Sequence, residues 1–193
     1  MIKNSVIAYG VVSRALHWMS ALTVFFLFGL GLYMVDLSYY DAWYKSAPDL
    51  HRSIGLCLFL ITLVRMAWRR ISPPPAPIGR HDWELKIAHV VHLLLIGLLL
   101  LTLLAGYLIS TADGRGISVF GLFELPALLP AEKGREEWSG TLHQVGAWSL
   151  IGLVVLHVLA ALKHHWIDRD ETLRRMLGLK LKTSDEAESD ADR

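Results

Sequence analysis

The chain holds a single cysteine, Cys57, in 193 residues. One thiol closes no disulfide within the chain and cannot supply the thiolate set of a zinc cluster or an iron–sulfur centre. Cys57 is therefore expected to behave as a small buried hydrophobe. Charge is scarce as well: 19% of residues are Asp, Glu, Lys or Arg and 53% are hydrophobic, whereas soluble proteins carry about 25% charged residues. Charge is absent altogether between Arg14 and Asp36, between Lys86 and Asp113, and between Glu137 and Lys163. These deficits exclude an ordinary soluble domain and point to a small integral membrane protein.

A helix needs about 20 mostly apolar residues to cross the hydrocarbon of a bilayer, so each uncharged stretch predicts a spanning helix. A fourth span is expected from Leu50 to Trp68. It is strictly uncharged only over Ser53 to Val64, but Arg52 and Arg65 lie near its ends, where long cations snorkel to the interface. The expected architecture is all-α, a transmembrane four-helix bundle over residues 1–176 with spans at about 12–36, 50–69, 85–111 and 138–165. Residues 177–193 are expected to form a disordered cytoplasmic tail, because "TSDEAESDADR" is acidic and nearly without apolar residues. The first apolar run is too long for a cleavable signal and lacks a small-residue cleavage site, so it is expected to remain as a helix.

Loop charges give the orientation. Arg65, Arg69, Arg70, Arg80 and Lys86 cluster between the second and third spans, and the stretch after Lys163 is again rich in Lys and Arg. The other two loops are net acidic, Asp36 to Asp49 with three Asp and one Lys, and Asp113 to Glu137 with five acids against Arg115, Lys133 and Arg135. The positive-inside rule then puts both termini and the middle loop in the cytoplasm. "ISPPPAPIGR" reads as a stiff linker. "DGRGISVFGLFELPALLP" is too apolar for a free loop and is expected to lie on the membrane surface or over the outer end of the bundle. Its "GRG" lacks the strand and helix that a phosphate-binding loop requires. Trp18, Trp68, Trp83, Trp138 and Trp166 suit the interfacial aromatic belt.

Against this apolar background the histidines stand out. His143 and His157 are fourteen residues apart, which in a helix is about 21 Å along the axis and almost a return to the same face. The other spans repeat the interval, His17 with Gly31, His51 with Arg65 and His92 with Gly106. Each helix thus presents a selected residue at two depths. A flat tetrapyrrole held between helices needs an imidazole on each side of its iron, and glycine where a backbone must give way, as at Gly31, Gly55 and Gly106. Two stacked haems are expected, and since "CxxCH" is absent they would be held by coordination alone. At the outer depth only His51 and His143 are available. At the inner depth His157 can pair with His17, His89 or His92, and spacing does not choose among them.

"SRALHW" opening the first span, "HRSIG" and "RMAWRRISPPP" bounding the second, "AHVVH" in the third, and "LHQVGAW" with "LHVLAALKHHW" in the fourth together resemble the bacterial cytochrome b561 family of small dihaem membrane cytochromes, over nearly all of Val12 to Met176. In that family the histidine of the first-helix "HW" pair is an axial ligand, which carries over to His17. The resemblance therefore implies two non-covalent haem b groups, His17 with His157 inside and His51 with His143 outside, with His89 and His92 left near the inner site. Arg14, Arg52 and Arg65 are candidates for haem propionates, since a guanidinium matches a carboxylate bidentately. His164, seven residues beyond His157, could reach an inner propionate or a quinone head group.

The resemblance also implies a multi-pass protein of the bacterial inner membrane that exchanges electrons with membrane quinone. Irons carrying two protein ligands have no open site for oxygen, which suits electron transfer. Stand-alone four-helix members include superoxide oxidases, which pass electrons from superoxide outside to ubiquinone; Arg52, Arg115, Lys133 or Arg135 could draw in the anion. The alternative is an electron-relay subunit that docks a soluble oxidoreductase such as a hydrogenase or formate dehydrogenase. Besides quinone and the lipid bilayer no nucleic-acid partner is expected.

Overall fold

The computed structural model describes residues 1–79 and 81–180. Four helices are long and apolar enough to cross a membrane: α1 (Val11–Val35), α2 (Ser46–Ile71), α3 (Asp82–Ser110) and α4 (Arg135–Trp166). They coincide with the four expected spans to within a few residues. The tail expected to be disordered lies outside the described residues from position 181 onward, and so does Arg80.

Two helix pairs make up the bundle. α1 packs along α2 and α3 along α4, while contact between the pairs is sparser. The pairs meet around Leu27, Leu58, Leu99 and Leu150, one leucine from each helix, all buried. Leu58 is seven residues from His51, Leu99 seven from His92, and Leu150 seven from both His143 and His157. Seven residues are two helical turns, about 10 Å, so this layer of leucines lies midway between the two histidine depths. Several hydroxyls within the helices satisfy themselves locally, as membrane segments require. Ser20 donates to the Leu16 carbonyl and Thr62 to the Leu58 carbonyl, each at 2.7 Å.

In a bilayer the unfolded reference keeps leucine among lipid tails, so truncating it loses little transfer energy and mainly leaves a cavity. Leu58 is 1% exposed, and Leu58→Ala is expected to cost about 2 kcal/mol, at the low end of buried leucine truncations. Detergent-denaturation midpoints of the two proteins measure it; an unchanged midpoint would mean that the layer carries no packing load.

Each end of the bundle is closed differently. At one end β1 (Ile117–Val119) and β2 (Phe123–Leu125) form an antiparallel hairpin. Its Ile117 and Val119 are buried, and Ser53 of α2 accepts from the Phe120 amide at 3.0 Å. Tyr107 donates to the Pro126 carbonyl at 2.9 Å and accepts from the Leu128 amide at 2.8 Å. The apolar loop thus packs over the bundle, as its composition suggests, although its two short strands carry no sequence signal. The N-terminal segment and α5 (Thr172–Leu177) gather at the opposite, terminal end, where Trp68 Nε1 donates to Ser13 Oγ at 3.0 Å. There α5 folds back, Trp18 Nε1 donates to the Met176 carbonyl at 3.1 Å, and Arg14 lies against Gly178, whose φ of 75° closes α5.

Candidate functional site

At the hairpin end the structure brings His51 of α2 to His143 of α4, with ring centroids 6.1 Å apart and planes at 72°. Two imidazole nitrogens bound on either side of one metal, with bonds of about 2 Å each, put the ring centres about 6 Å apart. His143 Nδ1 lies 2.8 Å from the Thr102 carbonyl oxygen of α3. A carbonyl only accepts, so Nδ1 carries the proton and Nε2 keeps its lone pair for a metal. His51 Nδ1 is buried without a hydrogen-bond partner among the described residues. A cavity of about 1360 Å³ adjoins both rings, lined also by Leu27, Leu58, Leu103 and Leu150. These features fit a haem held between His51 and His143.

The glycines divide into two kinds. A side chain at Gly106 would begin 3.1 Å from the His143 ring, and one at Gly31 would begin 3.4 Å from the His51 ring. Both therefore make room for an imidazole, and Gly106 also lines the cavity. Gly55 lines the cavity and faces open space, the relation expected beside a cofactor. Gly146 plays a part that the sequence did not suggest: a Cβ there would meet Thr102 Oγ1 at 2.5 Å, so its absence lets α4 approach α3 one turn from His143.

Toward the terminal end His17, His92 and His157 lie within electrostatic reach of one another and of Arg65. The His92 and His157 ring centroids are 5.1 Å apart. His17 Nδ1 accepts from Arg65 Nη2 at 3.1 Å. His89 is exposed. Of the other arginines considered for propionates, Arg14 packs on Gly178 with its Nε buried and, among the described residues, without a hydrogen-bond partner, and Arg52 is paired with Asp49. His164 sits at the mouth of this end, its Nδ1 2.9 Å from Asp168 Oδ2 and 3.0 Å from Asp170 Oδ2.

Most cations of the hairpin end are paired. Arg115 bonds to Asp113 at 2.6 Å, and these hydrogen bonds hold the Asp113 carboxyl below its ordinary range. Arg135, 3% exposed, pairs with Glu132 at 2.8 Å. Lys133 lines the cavity and, among the described residues, joins no ion pair there.

The sequence model of the prokaryotic cytochrome b561 family matches residues 8–179. The chain is 51% identical over 171 residues to cytochrome b561 homolog 2 of Escherichia coli strain K12, covering 88% of this chain and 91% of that protein. It is 27% identical over 178 residues to the probable superoxide oxidase CybB of Yersinia pestis, covering 89% and 97% respectively. Cytochrome b561 homolog 1 of E. coli K12 is 25% identical over 171 residues.

Proposed function

Because the chain belongs to the prokaryotic cytochrome b561 family, membrane cytochromes b of the bacterial inner membrane, we propose that it carries electrons across the bilayer through two b-type haems, from superoxide at the hairpin end to ubiquinone at the terminal end. Loop charge supports a cytoplasmic location for the terminal end. The observation that carries the proposal is the His51–His143 pair, two rings 6.1 Å apart beside a large apolar cavity. Similarity to a probable superoxide oxidase supports the choice of donor.

Held between paired imidazoles, haem would supply one-electron chemistry. The protein's own residues do the rest. Thr102 fixes the His143 ring and its tautomer. The leucine layer keeps water out of the region between the two depths. Lys133 and Arg52 line the cavity at the hairpin end, and an unpaired cation such as Lys133 favours approach of a small anion. Two superoxide anions give up one electron each and leave as dioxygen, and ubiquinone takes two electrons and two protons. His164 suits the proton side of that balance, since imidazole changes charge near neutral pH.

His164→Ala is expected to slow ubiquinone reduction by roughly 10- to 100-fold, while haem content and haem reduction by superoxide stay as they are. Stopped-flow spectroscopy with generated superoxide and a water-soluble ubiquinone separates the two steps. Unchanged quinone kinetics would remove His164 from the mechanism. Haems that take no electrons from superoxide would remove the oxidase half and leave electron relay from a docked soluble oxidoreductase.

A further inference from the structure

Beyond the histidine levels, the chain reverses direction after α4 and returns two carboxylates to its last turn. Arg169, with φ of 55°, makes the reversal. The Asp170 amide then donates to the His164 carbonyl at 3.0 Å, and Asp170 Oδ1 accepts from the Thr172 amide at 2.8 Å. The result is a built arrangement of three donor atoms, His164 Nδ1, Asp168 Oδ2 and Asp170 Oδ2, all within 4.8 Å of one another. The side chains are largely shielded: His164 is 20% exposed, Asp168 9% and Asp170 14%.

A histidine between two carboxylates ordinarily donates a hydrogen bond to one of them. Here Nδ1 lies 2.9 and 3.0 Å from the two oxygens yet, among the described residues, has no aligned hydrogen bond and is buried. Oxygens close to a ring nitrogen but off its in-plane lone-pair axis are what a shared cation requires, because the cation occupies the axis itself. In tetrahedral coordination with bonds of about 2 Å, neighbouring donor atoms stand about 3.3 Å apart, a few tenths of an ångström more than the two spacings from His164 Nδ1.

We propose that His164, Asp168 and Asp170 bind a divalent transition-metal ion, with Zn²⁺ the best match. Two carboxylates balance its charge, and one imidazole with two oxygens is a borderline donor set that suits zinc better than the all-oxygen shells of Mg²⁺ or Ca²⁺. One competing cation is Lys163, whose Nζ is 2.7 Å from Asp168 Oδ2 and 2.9 Å from Glu84 Oε1. Metal binding takes the Asp168 oxygen and leaves Lys163 on Glu84. Zinc on His164 would also slow quinone reduction. That consequence rests on the proposed function, whereas binding itself does not.

The test is equilibrium dialysis of the haem-loaded, tag-free protein against Zn²⁺, followed by metal analysis. The wild type is expected to retain about one ion per chain, Asp170→Asn and Asp168→Asn to weaken binding about tenfold or more, and Lys163→Gln to tighten it by removing the competitor. His81→Ala, at an exposed histidine stacked on Trp83, is expected to leave binding unchanged. The haem absorption spectrum of each variant confirms that it has folded. Absence of stoichiometric binding, equal affinity in Asp170→Asn, or loss of binding in His81→Ala would each overturn the site.

Discussion

His143→Ala is expected to carry about one haem per chain where the wild type carries about two, and to keep the low-spin spectrum of the remaining group. His51→Ala should do the same. His51 and His143 are the only histidines of the described residues at the depth of the hairpin-end cavity, so neither has a substitute. Gly106→Leu should reproduce the loss without touching a ligand, because its side chain would start 3.1 Å from the His143 ring and displace it. Thr102→Ala is the control: the acceptor for His143 Nδ1 is the backbone carbonyl, which alanine retains, so haem content should be unaffected. Acid-acetone extraction with haem quantification reads all four variants. Two haems in His143→Ala would mean that the 6.1 Å pair is not a ligand pair.

Much of this was legible in the sequence, for physical reasons. Apolar runs long enough to span a bilayer have few alternative structures, since water-free surroundings force the backbone into a helix. Position along the spans puts His51 and His143 at one depth, and their rings lie 6.1 Å apart, because a straight helix converts sequence position into height. The hairpin was missed, since strands of three residues leave no periodic pattern. The closeness of Asp168 and Asp170 to His164 depends on a reversal at Arg169, a non-glycine residue with positive φ, which composition does not announce. The pairing of Arg52 with Asp49 could have been found, as the two stand three residues apart on one helix. The Thr102 carbonyl could not, because any residue at that position offers the same atom.

His17→Ala and His157→Ala are expected to remove the terminal-end haem and spare the other, whereas His92→Ala is expected to keep both. Proximity alone would favour His92, whose ring is 5.1 Å from that of His157. Packing argues the other way. His92 and His157 belong to α3 and α4, which pack tightly along each other, and 5.1 Å is less than the roughly 6 Å that two imidazoles sharing a metal require. At the hairpin end the facing histidines come one from each helix pair, His51 from α2 and His143 from α4, and the space between the pairs is where a flat cofactor fits. The same rule at the terminal end requires His17 of α1, and the family resemblance pairs it with His157 of α4. One rearrangement must accompany it. Arg65 can only donate, so its bond to His17 Nδ1 leaves the ring proton on Nε2, and ligation through Nε2 requires Arg65 to release the ring. Arg65→Gln should therefore leave His17 able to bind, with haem content near that of the wild type, while His17→Ala loses about half of it. The same haem quantification decides: loss in His92→Ala with retention in His17→Ala would exchange the two histidines.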